Sequence, residues 1–381
     1  MNAESIASEH VQAVPFYILP EFEGQVVFHS KMSTLRLRAS AAGQIVELVL
    51  PLLDGSRTRA EVIAQLSTTI APERATALLA QLEKHSFLKI TQAAPATVAP
   101  DMLPRLESMR RYLASDDNNG WQAVAELRAA HVAIINLGAM SSALLLNLVH
   151  AGVGSITLLG GETVTELDVA RVQFLRGSDV GRPWGEVVAE AVPLGKFDTR
   201  FHHVAEIPVR ADDWEAVLGG VTMVAAVVDG PTYFQRSISG LNQAALKSKT
   251  PWIMVGNVQH VGLAVGPTFV PGATPCLVCF EARLKSNMQN LQIVELLEKF
   301  SGDGGNHVEF GEIAPGVDIA ANLACLEIID TLVSGRLAKT NGKLLTLDLE
   351  SHAFSLHNVL RLPRCPACRP MAKSVTTRIW A

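Results

Sequence analysis

Four of the five cysteines fall into two pairs whose spacing suits a metal site. Cys276 and Cys279 form one Cys-x-x-Cys turn, and Cys365 and Cys368 form a second one near the end of the chain. Each turn places two thiolates on one side of a tight loop, so two turns complete a tetrahedral four-thiolate site for Zn²⁺. Such a closed site is structural and would tie the end of the chain to the body of its domain. Redox-active or incidental pairs are the alternative interpretation.

A second motif begins at residue 132, where an apolar run of four residues leads into a turn and then a helical pattern. Gly138 lies in that turn. A strand, a glycine turn and a helix in this order are typical of a nucleotide-binding fingerprint, in which backbone N–H groups approach phosphate closely. The fifth cysteine, Cys325, lies in an apolar helical stretch and is interpreted as a small core residue.

Composition limits what these motifs can serve. The 381 residues suffice for two or three domains, and 48% hydrophobic with 18% charged residues indicates a globular protein. A net charge of −5 argues against a general nucleic-acid or anionic-membrane surface. The start lacks a signal-peptide pattern, and apolar runs such as residues 221–228 are too short to cross a bilayer. We therefore expect a cytoplasmic protein, in which paired cysteines are more often metal ligands than disulfides.

Residues 1–91 are predicted to form a winged-helix-like α+β module. Strand patterns cover residues 14–19, 25–29 and 34–38. Three helical patterns follow, beginning at Ser40, near residue 60 and at Pro72, and a closing strand covers residues 87–90. Asp54-Gly55 is interpreted as the end of the first helix.

The remaining chain is predicted to be a linker and an α/β domain. Residues 92–120 are rich in alanine and proline near their start, which is typical of a linker, and a short helix is predicted within them over residues 105–114. From residue 121 to 381, strand and helix patterns alternate. The predicted strands are residues 132–136, 155–159, 201–204, 221–228 and 252–255. This alternation indicates βαβ units and a mostly parallel sheet.

Specific residues in this α/β domain resemble the ThiF/MoeB family of adenylating enzymes. They are the stretch 151–159, Glu162-Thr-Val, Arg171, the stretch 179–183, the stretch 271–279 and Cys365-x-x-Cys368. The resemblance implies a Rossmann-type sheet, two zinc-binding cysteine pairs and pairing into a homodimer. Family members adenylate the C-terminus of a ubiquitin-like protein or a peptide.

The resemblance also implies a degenerate nucleotide site. Asn136 and Ser141 stand at the first and third glycines of the family's Gly-x-Gly-x-x-Gly turn, where side chains hinder the approach to phosphate. Gly160 stands at the ribose-binding aspartate and Trp184 at the phosphate-contacting lysine. Only Gly138 and Arg171 match the family. The alternative is that ATP still binds through a drifted site.

Residues 14–90 resemble the PqqD-like RiPP recognition element, carried by Leu52-Leu-Asp-Gly-Ser-Arg-Thr58 and by Leu82-x5-Leu88. In that family a leader peptide adds as a strand to the third strand and lies against the third helix. The corresponding residues are Thr34, Leu35, Arg36, Leu37, Arg38, Leu78, Leu79, Leu82 and His85. Arg36 and Arg38 would meet an acidic leader. A DNA-binding winged helix and a purely structural module are the alternatives.

Together, the two modules are similar to the Ocin-ThiF-like partner proteins of thiazole/oxazole-modified peptide (TOMM) biosynthesis. The similarity implies a leader-peptide-binding scaffold that presents a ribosomal precursor to a YcaO cyclodehydratase and does not catalyse by itself. The alternative is an ATP-dependent enzyme that adenylates or cyclises a peptide, like the microcin- and pantocin-type ThiF proteins.

Overall fold

A computed structural model describes residues 9–14, 16–22, 25–30, 33–38, 47–91, 102–114, 120–192, 197–228, 236–258, 262–287 and 313–369, with positions 292 and 296. The chain divides into two compact units, Met1–Ala125 and Glu126–Ala381. Each unit has a hydrophobic core of its own. Within the described ranges, we find no helix that combines the length and the hydropathy of a membrane span.

The N-terminal unit contains two antiparallel sheets of three strands each. Their strands are β1 (His10–Ala13), β2 (Tyr17–Phe22), β3 (Gln25–His29), β4 (Thr34–Arg38), β5 (Asp54–Thr58) and β6 (Leu88–Thr91). β1 lies between β5 and β6 in one sheet, and β3 lies between β2 and β4 in the other. β3 and β4 have the predicted bounds, whereas the strand predicted over residues 14–19 begins at Tyr17.

The sheet of β1, β5 and β6 changes the predicted architecture. Asp54-Gly55, interpreted from the sequence as the end of a helix, instead begins β5. Gly55 adopts a φ of +88°, which glycine reaches without strain, and this turns the chain into the strand. The first part of the helix predicted from Ser40, residues 40–46, lies outside the described residues. Residues 47–49 are helical, and a 3₁₀ turn, Leu50–Leu52, follows them.

Three described helices complete this unit: α1 (Arg59–Leu66), α2 (Pro72–Lys84) and α3 (Leu103–Leu113). Thr58 caps α1, because its backbone N–H donates to the Glu61 carboxylate at 2.7 Å while its hydroxyl accepts from the N–H of Glu61. α2 begins at Pro72, as predicted. α3 falls inside the segment predicted as a linker, yet Arg110 on α3 donates to Gln12 of β1 at 3.0 Å.

An apolar cluster holds the helices α1 and α2 to the two sheets of this unit. Its aromatic centre consists of Phe16, Phe28 and Phe87, whose ring centroids lie 5.2–5.9 Å apart. Leu35 of β4 and Leu79 of α2 belong to the same cluster, and Leu79 is fully buried. The edge strand β4 and the helix α2 therefore share one core.

The C-terminal unit is built on an eight-stranded mixed sheet. Its strands are β7 (His131–Ile135), β8 (Ser155–Leu159), β9 (Arg200–Val204), β10 (Met223–Val228), β11 (Trp252–Val258), β12 (Gly262–Phe269), β13 (Lys343–Asp348) and β14 (Ala353–Asn358). The order is β14–β13–β12–β11–β10–β7–β8–β9. The five strands from β7 to β11 are parallel, as predicted, and β12 to β14 extend the sheet in antiparallel pairs that the sequence did not predict.

Helix α4 (Trp121–Ala129) spans the boundary between the two units. The helices of the C-terminal unit are α5 (Ala139–His150), α6 (Glu166–Arg171), α7 (Trp184–Ala191), α8 (Ala211–Leu218), α9 (Arg236–Ser248), α10 (Leu277–Ser286) and α11 (Ala314–Leu332). Every residue of β10 is buried, so both faces of the sheet are covered there. Trp214 of α8 and Leu241 of α9 pack on one face. This is a mixed α/β fold with a large, mostly parallel sheet.

We expect Leu79→Ala to lower the free energy of unfolding of the N-terminal unit by about 2–5 kcal/mol, because it leaves a cavity in a fully buried site. Hydrogen-exchange mass spectrometry on peptides from residues 47–91 measures this change. The exposed Gln81 on the same helix provides the control, since Gln81→Ala should change stability by less than about 0.5 kcal/mol. Equal exchange in both variants would contradict the expectation.

Candidate metal centre and the turn after β7

The four paired cysteines come together into one cluster. Among the described residues their Sγ atoms all lie within 4.8 Å of one another. The Cys276 Sγ lies 4.0 Å from that of Cys279 and 3.6 Å from that of Cys365, and the Sγ atoms of Cys279 and Cys368 are 3.7 Å apart. A tetrahedral zinc site with Zn–S bonds of about 2.3 Å spaces its sulfurs by about 3.8 Å. The cluster therefore fits a four-thiolate metal site and is compatible with zinc.

Local structure positions the first cysteine pair. Cys276 is the N-cap of α10, and Cys279 lies in its first turn. The side chain of Asn242, buried on α9, accepts a hydrogen bond from the N–H of Leu277 at 3.1 Å. This bond ties the start of α10 to the core of the sheet.

The second pair reaches the site from the chain that follows β14. The guanidinium of Arg361 donates to the carbonyls of Gly272 and Thr274, at 3.0 and 2.6 Å, just before the first pair. The N–H of Leu362 lies 3.4 Å from the Sγ of Cys279. Contacts around both turns thus hold the late segment in place, as expected for a closed structural site.

Burial sets the protonation of the cluster. Burial raises the pKa of the Cys276 thiol and that of the Cys368 thiol. Burial acts in the same direction on Cys365, but hydrogen bonds from the backbone N–H groups of Cys368 and Ala367 outweigh it and lower that pKa to about 7. Metal binding would release the protons of these thiols, because a four-thiolate site needs deprotonated sulfurs and a cation that offsets their charge. Zn²⁺ would supply it, and a four-thiolate shell would leave no position for catalysis.

Cys325 lies apart from this cluster, on α11. Its side chain is 6% exposed, and burial raises the pKa of its thiol to about 12. The thiol is therefore protonated at neutral pH, which agrees with the interpretation of Cys325 as a core residue.

The turn after β7 has a left-handed residue, Asn136, and side chains of the turn lie in the space around it. Asn136 adopts a φ of +65°, a left-handed conformation that asparagine tolerates better than most residues other than glycine. Its N–H donates to the carbonyl of Leu159 at 3.0 Å, and its side-chain amide donates to the carbonyl of Val227. The side chain therefore crosses from the end of β7 to the end of β10. Ser141, fully buried, donates to the carbonyl of Gly138 at 3.1 Å.

The end of β8 is closed by apolar side chains. Gly160 has a φ of +103°, and a Cβ atom on it would lie 3.0 Å from the Cδ1 of Ile207. A Cβ on Gly161 would lie 2.7 Å from the Cδ1 of Leu137 and 3.0 Å from the Cδ1 of Trp184. The indole of Trp184 is 2% exposed. Trp184 and Leu137 therefore pack beside Gly161, and this end of the strand carries no charged group among these contacts.

Arg171, at the end of α6, lies beside a narrow crevice. The described residues around it, which include Ser142 and Phe174, leave a cavity of only about 20 Å³, whereas small-ligand pockets usually measure about 300–1,000 Å³. Asp168, three residues before Arg171, caps its own helix by accepting from the N–H and the hydroxyl of Thr165 at 2.8 and 2.7 Å. This carboxylate is held at the helix N-terminus.

The residues predicted to bind a peptide differ in exposure. Thr34 and Arg36 of β4 are exposed, Leu35 is buried and Leu37 is half-buried; the side chain of Arg38 lies outside the described part. Among the described strands, β4 pairs with β3 alone and is an edge of its sheet.

The predicted residues on and after α2 are mostly inside the core. Leu79 and Leu82 are fully buried. Leu78 is half-buried, and His85 is the half-buried C-cap of the helix. Leu79 and Leu82 therefore support the shared core, and the accessible positions of the predicted set are on β4, at Leu78 and at His85.

Comparisons with known proteins agree with this fold. A model of the ThiF family matches residues 112–368. The molybdopterin-synthase adenylyltransferase of Escherichia coli K12 is 26% identical over 272 residues, which cover 69% of this chain and 97% of that protein. Protein HesA, heterocyst, of Trichormus variabilis is 24% identical over 253 residues, which cover 66% and 84%.

Solved structures share the architecture at low sequence identity. The microcin C7 biosynthetic enzyme MccB of Escherichia coli, in complex with N-formylated MccA, gives a TM-score of 0.61 at 16% identity and covers 94% of this chain and 99% of that one. PaaA gives a TM-score of 0.63 at 16% identity and covers 91% and 99%. These likenesses show a common fold.

We expect the purified chain to contain about one zinc ion per molecule, and Cys365→Ser to lose it, because three thiolates leave the tetrahedral shell incomplete. Elemental analysis by mass spectrometry measures the metal, and thermal unfolding with and without a chelator measures its effect on stability.

Cys325→Ala provides the matched control. It also removes a buried thiol, so it should keep the metal. A metal content that is unchanged in Cys365→Ser, or a chelator that leaves the melting temperature unaltered, would argue against a structural zinc site.

Proposed function

We propose that this chain, which belongs to the ThiF family, is a peptide-binding scaffold that lacks the nucleotide chemistry of its relatives. It binds the leader region of a ribosomal precursor peptide and presents that peptide to a YcaO cyclodehydratase. The cyclodehydratase binds the ATP and forms the thiazoline or oxazoline rings. The observation that carries the proposal is the packing at the ends of β7 and β8, where the side chains of Asn136 and Trp184 lie.

The charge balance at this turn supports a loss of ATP binding. The resemblance to the family assigns a ribose-binding aspartate to position 160 and a phosphate-contacting lysine to position 184, which are glycine and tryptophan here. Each charge-assisted hydrogen bond contributes about 1.5–3 kcal/mol. Losing two of them weakens ATP binding by about 3–6 kcal/mol, on the order of a hundred- to ten-thousand-fold.

The backbone at Gly160 supports the same conclusion independently. An aspartate there would adopt a φ of +103°, which side chains rarely reach, and its Cβ would press on Ile207 at 3.0 Å. A single substitution would not rebuild the family's ribose contact. The backbone at this position is therefore better suited to glycine than to an aspartate.

Strand β4 supports the peptide-binding half of the proposal. An edge strand presents unpaired N–H and C=O groups, to which an extended peptide can add as a further strand. Thr34 and Arg36 are exposed on β4, while Leu35 anchors it in the core that it shares with α2. The edge is therefore rigid in position and basic at Arg36, which suits an acidic leader. Zinc and a homodimer belong to the same proposal.

A second candidate function is an ATP-dependent enzyme that adenylates or cyclises a peptide. The shared fold favours it, because MccB of Escherichia coli has been crystallised with ATP as well as with MccA. Gly138 and Arg171 also match the family. We rank this candidate second, because the aspartate and the lysine that the resemblance assigns to positions 160 and 184 are replaced by glycine and tryptophan.

We expect the zinc-loaded chain to show no ATP–pyrophosphate exchange above the buffer rate, with or without its precursor peptide, because the charged contacts to the nucleotide are absent. The molybdopterin-synthase adenylyltransferase of Escherichia coli serves as the positive control. Exchange at a rate close to that of the control would reverse the ranking of the two functions.

We expect Arg36→Glu to weaken binding of an acidic leader by about three- to tenfold, because it reverses an exposed charge on the proposed peptide edge. Fluorescence anisotropy with a labelled acidic leader peptide measures the affinity. Lys339→Glu makes the same charge change on the surface of the C-terminal unit and should leave the affinity unaltered. Undiminished binding by a chain that lacks residues 1–91 would remove the leader-binding claim.

A further inference from the structure

The amino ends of β7, β8 and β9 bring polar side chains together on one face of the large sheet. His131, Ser155 and Arg200 are the first residues of these parallel strands and are paired in register. Further along, Thr157 of β8 pairs with His202 of β9. Because alternate residues of a strand share a face, these residues form one patch, here called the amino-end patch. It lies at the opposite end of the strands from the turn after β7.

Buried hydroxyls hold two members of the amino-end patch in place. Ser155 and Thr157 are both buried. The Nε of Arg200 donates to the hydroxyl of Ser155 at 3.0 Å, and the Nε2 of His131 lies 2.8 Å from the hydroxyl of Thr157. These contacts agree with the shared face that the strand register indicates. They engage only the Nε of Arg200, and no other described residue bonds to its Nη groups.

The cations of the amino-end patch have no acidic partner. In the part of the chain that the structure describes, no carboxylate bonds to Arg200 or to His202, and the ring of His202 makes no hydrogen bond. Asp198, the acidic residue nearest to Arg200 in sequence, is paired with Arg128 at 3.3 Å. Arg200 and His202 are both exposed, so a solute can reach them.

The ring of His131 reports the positive potential of the patch. Burial lowers the pKa of His131, and the charges of His202 and Arg200 lower it further, while a hydrogen bond at the backbone of Gly220 acts in the opposite direction. No carboxylate contributes to this change. The ring is therefore neutral at neutral pH. An anion beside Arg200 and His202 would offset the charges that act on it.

We propose that the amino-end patch binds a phosphate group, held by the guanidinium of Arg200 and the ring of His202. The planar fork of a guanidinium donates to two oxygens at once, and an imidazole N–H adds a further donor. A carboxylate has only two oxygens, which the fork alone would occupy, whereas a phosphate offers a third to His202. The site is separate from the proposed scaffold function, because it uses neither β4 nor the turn after β7.

NMR of the histidine rings tests this proposal on the full chain, with histidine labelled at Cε1. We expect inorganic phosphate to shift the signals of His131 and His202 to a saturating value, and acetate to bind more weakly. Bound phosphate should also raise the pKa of His131, because it offsets the charges of His202 and Arg200. Sodium chloride at the same ionic strength is the control for screening. Equal, non-saturating shifts in phosphate and chloride would overturn the proposal.

Two variants locate the binding in the amino-end patch. Arg200→Gln and His202→Gln should each weaken phosphate binding by about three- to tenfold, because each removes one exposed donor. Arg74→Gln removes an exposed arginine from the N-terminal unit and should change nothing. His202→Gln has no side-chain hydrogen bond to lose, so it remains decisive if Arg200→Gln lowers the melting temperature. Undiminished phosphate affinity in His202→Gln, with a melting temperature like the parent, also overturns the proposal.

Glycerol 3-phosphate separates the two sources of a phosphate group. Binding of this ester as tightly as inorganic phosphate, or more tightly, assigns the site to a phosphate monoester. Loss of binding on esterification assigns it to the free ion. Either outcome supports the site itself.

Discussion

Side chains of the protein itself occupy part of the space at the carboxyl ends of β7 and β8, and this packing constrains what the C-terminal unit can do. The amide of Asn136 donates to the carbonyl of Val227, and the indole of Trp184 lies beside Gly161. In open α/β sheets, ligands bind outside these strand ends, where backbone N–H groups and charges can reach them. Here side chains occupy part of that space. A fold that relatives use for adenylation therefore supports a different proposed use, the binding and presentation of a peptide.

The metal cluster complements this arrangement. The late segment that carries Cys365 and Cys368 returns to the start of α10, where Arg361 and Leu362 also make contacts. A metal at the four sulfurs would hold the antiparallel extension of the sheet against its parallel part. Because four thiolates fill the coordination shell, the metal would stabilise the fold without contributing an acid or a nucleophile. The proposed peptide binding and the proposed metal site thus lie in separate parts of the chain.

Much of the fold was predictable because its patterns are local. The continuous apolar run of β10 and the alternating apolar and charged residues of β4 specify strands on their own. β6 lies where a closing strand was predicted over residues 87–90, but its partner β5 was missed, because β5 reads Asp-Gly-Ser-Arg-Thr, which is typical of a turn. β12 was missed for a related reason, since two glycines and a proline interrupt its apolar run. Both strands exist because neighbours distant in sequence supply their hydrogen bonds.

Residue type and spacing directly express the pairing of the cysteines and the βαβ order, so both could be predicted before the fold was known. How side chains occupy the space at the ends of β7 and β8 could not be predicted in this way and follows from the tertiary structure. Burial and side-chain direction depend on elements that meet far from each other in sequence. For this reason Asn136 keeps a left-handed turn while its amide reaches β10, Asp168 is held in a helix cap, and Leu79 and Leu82 lie in the core. A cavity beside α3 arises in the same way, from residues of β1, β6 and α3 that no motif joins.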